Sequence, residues 1–154
     1  MTIEIGKKIT NFNLPSSDGN AFELNSITDK KLILFFYPKD DTPGCTKEAI
    51  EFSKFKNKFL KYNSIIIGIS KDSIDKHNRF IKKHKLKINL LSDIDTKICN
   101  KFGTYKEKMN YGKKYMGIER STFIIDENKK VLKIWRKVKV LNHVEEVYNF
   151  IKGL

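Results

Sequence analysis

The chain has 154 residues, 40% of them hydrophobic and 12% aromatic, which fits one globular domain spanning residues 1–154 and argues against disorder. Thirty-one Lys and Arg against 18 Asp and Glu give a net charge of +13, yet only Arg79, Arg120 and Arg136 are arginines and the lysines are spread along the chain, so solvated faces are expected and no specific nucleic-acid partner. No apolar run reaches the 18 residues of a membrane span, the first eight residues hold no apolar signal region, and two cysteines are too few for a secreted disulfide scaffold; a cytoplasmic protein with reduced thiols is expected.

Short apolar runs alternate with amphipathic stretches, which predicts an α/β fold with a central mixed sheet flanked by helices. Extended pieces are expected near Ile9–Leu14 and Ala21–Leu24, joined by the turn Ser17-Asp18-Gly19-Asn20. Lys31–Tyr37 reads as a buried strand. A helix follows from Pro43 to about Tyr62, with Ala49, Phe52, Phe55 and Phe59 forming one apolar stripe. Ser64–Ser70 is a second buried strand, and Asp72 or Ser73 caps a helix to about Lys85. A short strand at Asn89–Leu91 precedes a short helix from about Asp95 to Phe102, stopped by Gly103. Tyr105–Met116 is polar and reads as irregular. Thr122–Ile125 and Val131–Arg136 form a hairpin turning at Asp126-Glu127-Asn128-Lys129, and Asn142 opens a last helix with Val144, Val147 and Ile151 on one side.

The segment between the first buried strand and its helix carries the chemistry. Thr42 followed by Pro43 places Thr at the N-cap and Pro at the first helical position, so Gly44 and Cys45 are the second and third helical residues. Their N–H groups have no partner within the helix. Those groups and the positive end of the helix dipole favour a thiolate over a thiol at Cys45.

Pro38, Thr42 and Cys45 together spell Pro-x-x-x-Thr-x-x-Cys. This resembles the active-site motif of the peroxiredoxins, and the string from Phe36 to Ala49 is similar to their PrxQ or bacterioferritin-comigratory-protein subfamily. The likeness continues in Lys71-Asp72-Ser73 with His77 and Phe80, in Leu90–Asp93, in Gly117–Asp126, in Arg136–Val140 and in His143–Glu146, and so covers essentially the whole chain. The resemblance implies a thioredoxin-like fold and a thiol peroxidase of antioxidant defence. Such an enzyme reduces hydrogen peroxide and organic hydroperoxides through a sulfenic acid, and an external thiol from thioredoxin, glutaredoxin or a small molecule restores it. It also implies a monomer. A peroxide sensor or holdase using the same cysteine is the alternative.

On this resemblance Cys45 is the peroxidatic nucleophile, becoming the first oxidation product of the cysteine ladder. The Thr42 hydroxyl both donates and accepts and can orient a peroxide oxygen. Pro38 shapes the pocket, and Gly44 belongs to the helix start. Arg120 has a permanent charge that can hold a thiolate and polarise peroxide. Glu48, on the same helical face as Cys45, can fix Arg120. Where many PrxQ proteins carry a resolving cysteine five residues after the first, this chain has Ile50, so resolution falls either to an outside thiol or to Cys99. The flanking Ile98 and Phe102 suggest a partly buried helical face for Cys99 and a passive core role. His77, His84 and His143 do not have metal-site spacing, and no flavin, haem, nicotinamide or phosphate-loop motif occurs, so neither metal nor cofactor is expected.

Overall fold

The structure is a computed structural model that describes residues 3–154; Met1 and Thr2 of the expected domain lie outside the described residues. Among the described residues nine strands and four α-helices follow one another: β1 Asn13–Pro15, β2 Ala21–Glu23, β3 Lys31–Phe36, α1 Pro43–Leu60, β4 Ser64–Ser70, α2 Ile74–His84, β5 Asn89–Ser92, α3 Lys97–Lys101, β6 Tyr105–Asn110, β7 Lys113–Ile118, β8 Ser121–Ile125, β9 Val131–Trp135 and α4 His143–Lys152. The central sheet has the order β5-β4-β3-β8-β9. β3 runs parallel to β4 and antiparallel to β8, and β5 and β9 extend these pairings outward.

The alternation of β3 divides the interior in two. Leu32, Leu34 and Phe36 point into one core with Phe12, Phe22, Ile98, Cys99, Phe102 and Phe123. Ile33, Phe35 and Tyr37 point into the other, with the α1 residues Cys45, Ala49, Phe52 and Phe59, and with Phe80, Val144, Val147 and Ile151. A strand of period two buried on both faces gives this continuous apolar run. The mixed sheet and its flanking helices are those expected. Ser73 caps α2 by accepting from the Lys76 N–H at 3.3 Å, which leaves Asp72 free for another task.

One stretch departs from its reading. Tyr105–Met116 is not irregular: β6 and β7 pair antiparallel from Tyr105 and Ile118 down to Asn110 and Lys113. Tyr111 (φ +50°) and Gly112 (φ +77°) form the two-residue turn with positive φ at both positions that a tight hairpin needs. Most of its side chains are exposed on both faces, so no apolar alternation marked it as β. α3 is also shorter than expected, because the Asp93 carboxylate accepts from the Ile98 and Cys99 N–H groups (3.2 and 2.7 Å) and fixes the start of the helix there.

Candidate active site

β3 delivers the chain at Phe36 to a six-residue loop, 37–42, and α1 starts at Pro43. Thr42 is the N-cap in extended conformation (φ −92°, ψ 154°), and the Thr46 N–H closes the first turn on its carbonyl at 2.8 Å. Cys45 is thus the third helical residue, 1% exposed, at the positive end of an 18-residue helix. The Thr42 hydroxyl does not cap the helix; it donates to the Lys39 carbonyl at 2.9 Å. With its proton committed there, its oxygen is left to accept.

Arg120 sits just before β8, and because β8 is the antiparallel neighbour of β3, its guanidinium reaches the first turn of α1. Nη2 donates to Cys45 Sγ at 3.3 Å and Nη1 to Glu48 Oε1 at 2.7 Å. Glu48 is fully buried on the stripe of α1 that also carries Cys45, Ala49 and Phe52, so it is an anchor for Arg120 and no solvated helix residue. Burial pushes its carboxyl up to about 7 against the downward pull of Arg120. Its second oxygen, Oε2, is buried without a hydrogen-bond partner among the described residues. A methyl group on Gly44 would stand 3.2 Å from Arg120 Nη2, so the absence of a side chain there lets the guanidinium come close to the helix start.

The histidines support this geometry from behind. His77, fully buried, is hydrogen-bonded to Asp40 through Nδ1 (2.7 Å to Oδ2) and donates from Nε2 to the Leu91 carbonyl at 2.9 Å. The Tyr37 hydroxyl donates to the other Asp40 oxygen at 2.5 Å. The Asp40 N–H donates to Asp72 Oδ2 at 2.8 Å, and Ser70 donates to the same oxygen at 2.7 Å. Asp41 is gripped by Lys83 and His84 at 2.7 and 2.8 Å. Consecutive acids of the loop are therefore both pinned to α2. Donor atoms of Asp40, Asp72 and His77 converge within 4.8 Å, but these hydrogen bonds occupy them. His143, at the start of α4, is buried and bonded to the Thr122 hydroxyl at 2.8 Å; burial and Arg120 push it down to about 4. Asp40 and Tyr37 went unnoticed in the sequence because the pattern Asp-Asp reads as a solvated turn.

Cys99 lies in the opposite core, fully buried. Burial, aided by the neighbouring Asp93 carboxylate, pushes its thiol well up, the reverse of activation.

A cysteine on a helix N-terminus, held by an arginine that a buried glutamate orients, is a site for nucleophilic attack with a fixed positive charge beside the sulfur. The AhpC/TSA family model matches residues 5–134. The chain belongs to the peroxiredoxins. It is 46% identical over 154 residues to peroxiredoxin Bcp of Bacillus subtilis, covering 100% of this chain and 98% of that one. A mutant of Xylella fastidiosa PrxQ superposes with a TM-score of 0.94 at 37% identity, covering 98% of this chain and 96% of the other. The bacterioferritin comigratory protein of Xanthomonas campestris, solved in relation to its alkyl peroxide reduction activity, gives a TM-score of 0.88 at 39% identity, covering 92% and 90%. This peroxiredoxin is accordingly a thiol peroxidase on a thioredoxin-like fold. Among the described residues no helix is long and apolar enough to cross a membrane.

Proposed function

We propose that this peroxiredoxin reduces hydrogen peroxide and alkyl hydroperoxides through Cys45 alone, and that an external thiol completes the cycle. The observation that carries the proposal is the pair of bonds from Arg120, one to Sγ at 3.3 Å and one to the buried Glu48 at 2.7 Å. The Cys45 sulfur attacks one peroxide oxygen: an S–O bond forms, the O–O bond breaks, and the departing oxygen leaves as water or alcohol after taking a proton. Arg120 stabilises charge on the sulfur and on the departing oxygen, and Thr42, its proton held by Lys39, accepts from the peroxide O–H. Pro38 walls the approach.

The sulfenic acid then meets a thiol from outside. Ile50 stands where many relatives place the resolving cysteine, and Cys99 lies in the opposite core, so no other thiol of this chain is poised to reach Sγ. Thioredoxin, glutaredoxin or a small thiol attacks Sγ and releases water; a second thiol frees Cys45. The chain works as one domain over residues 1–154, as a monomer and in the cytoplasm. Peroxide consumption by wild type and Cys45→Ser with a thiol in excess tests the assignment. Loss of all turnover in Cys45→Ser is expected, and retained turnover would remove Cys45 from the role.

A further inference from the structure

Pro38 and Lys39 of the catalytic loop line a groove of about 610 Å³, roughly twenty times the ~30 Å³ share of one water in the liquid. Hydrogen peroxide has no use for that volume, and an alkyl hydroperoxide has no use for its lysines. The groove carries four lysines: Lys39 from the loop, Lys71 and Lys76 at the start of α2, and Lys108 from β6. None of the four has an ion-pair partner among the described residues, as holds for most of the 28 lysines, so what sets these four apart is their convergence on one groove. The one acid in the lining, Asp72, is committed to Ser70 and to the Asp40 N–H. The lining also includes Ile94, Tyr115, Met116 and Ile118, which give it apolar surface. Lys108 lies within electrostatic reach of the catalytic pair: burial and the charge of Arg120 lower its pKa, while the Glu119 carboxylate and then Cys45 act the other way.

Four ammonium groups on a partly apolar groove, lined by Pro38 and Lys39 of the loop that leads to Cys45 and by Gly117 and Ile118 just before Arg120, call for an anion that carries a thiol. We propose that this groove seats the reductant, and that the reductant is a small thiol bearing carboxylates. The inference rests on the one-cysteine cycle above and adds the chemistry of its co-substrate. A volume of this size suits a small molecule; a protein reductant would instead cover a face of about 800 Å² on each partner. The chemistry balances. The thiolate of the first small thiol attacks Sγ of the sulfenic acid, an S–S bond forms and the S–O bond breaks, and hydroxide leaves as water with the thiol's proton. A second small thiol attacks the mixed disulfide, giving its own disulfide and the Cys45 thiolate. The peroxide is the oxidant and the two small thiols are the reductant.

The test uses wild-type protein oxidised with one equivalent of hydrogen peroxide, then mixed with 3-mercaptopropionate, 2-mercaptoethanol or cysteamine, which are anionic, neutral and cationic. Rates are expressed per thiolate. The anionic thiol is expected to be faster than the cationic one by about a hundredfold at low ionic strength, and the gap should shrink steeply at ~0.5 M salt. In the double variant Lys71→Ser with Lys76→Ser, the anionic thiol should lose about tenfold more rate than the neutral one. Lys82→Ser with Lys152→Ser removes the same net charge from exposed helical positions outside the groove and should keep the wild-type order. Equal rates for the three thiols overturn the proposal, as does an equal loss in both double variants, which would mean steering by net charge only. A loss confined to oxidation by an anionic organic hydroperoxide, or reduction only by a dithiol protein, also overturns it. Absence of any sulfenic acid would overturn the Cys45 assignment as well, and is read separately from the thiol step.

Discussion

Arg120 is shared between Cys45 Sγ and the Glu48 carboxyl, and the balance between them sets the behaviour of the site. Replacing it with Gln removes the donor at 3.3 Å from Sγ and leaves Glu48 buried without its cation. Loss of one such preorganised donor is expected to slow the oxidation of Cys45 by hydrogen peroxide by about 10²–10³-fold, read from single-turnover kinetics. Glu48 also leaves a signature in stability. Its proton is held more tightly in the fold, at about 7 against an ordinary 4.5, so folding stability falls as pH rises between those values. At about 1.4 kcal/mol per pH unit, that contribution is on the order of 3 kcal/mol. His143 works in the opposite sense. Its folded value of about 4 lies below the ordinary 6.5, so stability is present above 6.5 and lost as pH falls through 4. The two slopes oppose each other between 4.5 and 6.5. Wild-type urea midpoints should therefore be nearly flat from pH 5 to 6.5, while Glu48→Gln should become more stable across that range. Parallel curves for the two proteins would contradict this.

At the scale of elements, the loop 37–42 is held by α2 before it delivers the helix start. His77→Ala would strip partners from Asp40 and from the Leu91 carbonyl inside the core. A loss of about 3 kcal/mol in chemical denaturation is expected, because buried polar groups are left unsatisfied. Gly44→Ala should push the guanidinium away from the first turn, since the added carbon would sit 3.2 Å from Nη2; slower oxidation of Cys45 with little change in stability is the expected result. These elements also mark where sequence reasoning reached and where it stopped. The central strands and α1 were legible because a doubly buried strand and an amphipathic helix write strong periods, and Thr42-Pro43 writes the helix start. The position of Glu48 three residues after Cys45 placed it on the right face. The hairpin β6–β7 was not legible, since it is stabilised by backbone pairing and a Tyr-Gly turn, with no apolar face to show. The grip of α2 on Asp40 and Asp41 was hidden for another reason: it joins residues 37 and 43 positions apart in sequence.

For the molecule as a whole, the decisive fact is that the central sheet separates two cores and puts one cysteine in each. A disulfide needs Cα atoms within about 7 Å, and no rotamer change brings sulfurs together across a packed sheet. Cys99→Ser should therefore retain turnover with an external thiol, measured as steady-state peroxide consumption, with at most a small cost from exchanging a buried thiol for a hydroxyl. The net charge of +13 acts at this same scale: it draws anions toward the whole surface, over which the groove lysines add a local preference. The most direct test of the one-cysteine cycle is the intact mass of the reduced protein after one equivalent of hydrogen peroxide, with and without a sulfenic-acid trap. A trappable gain of one oxygen, mapped to Cys45, is the predicted result. A loss of two hydrogens with nothing to trap would mean that Cys45 and Cys99 had joined, and would contradict the separation of the two cores as the basis of the mechanism.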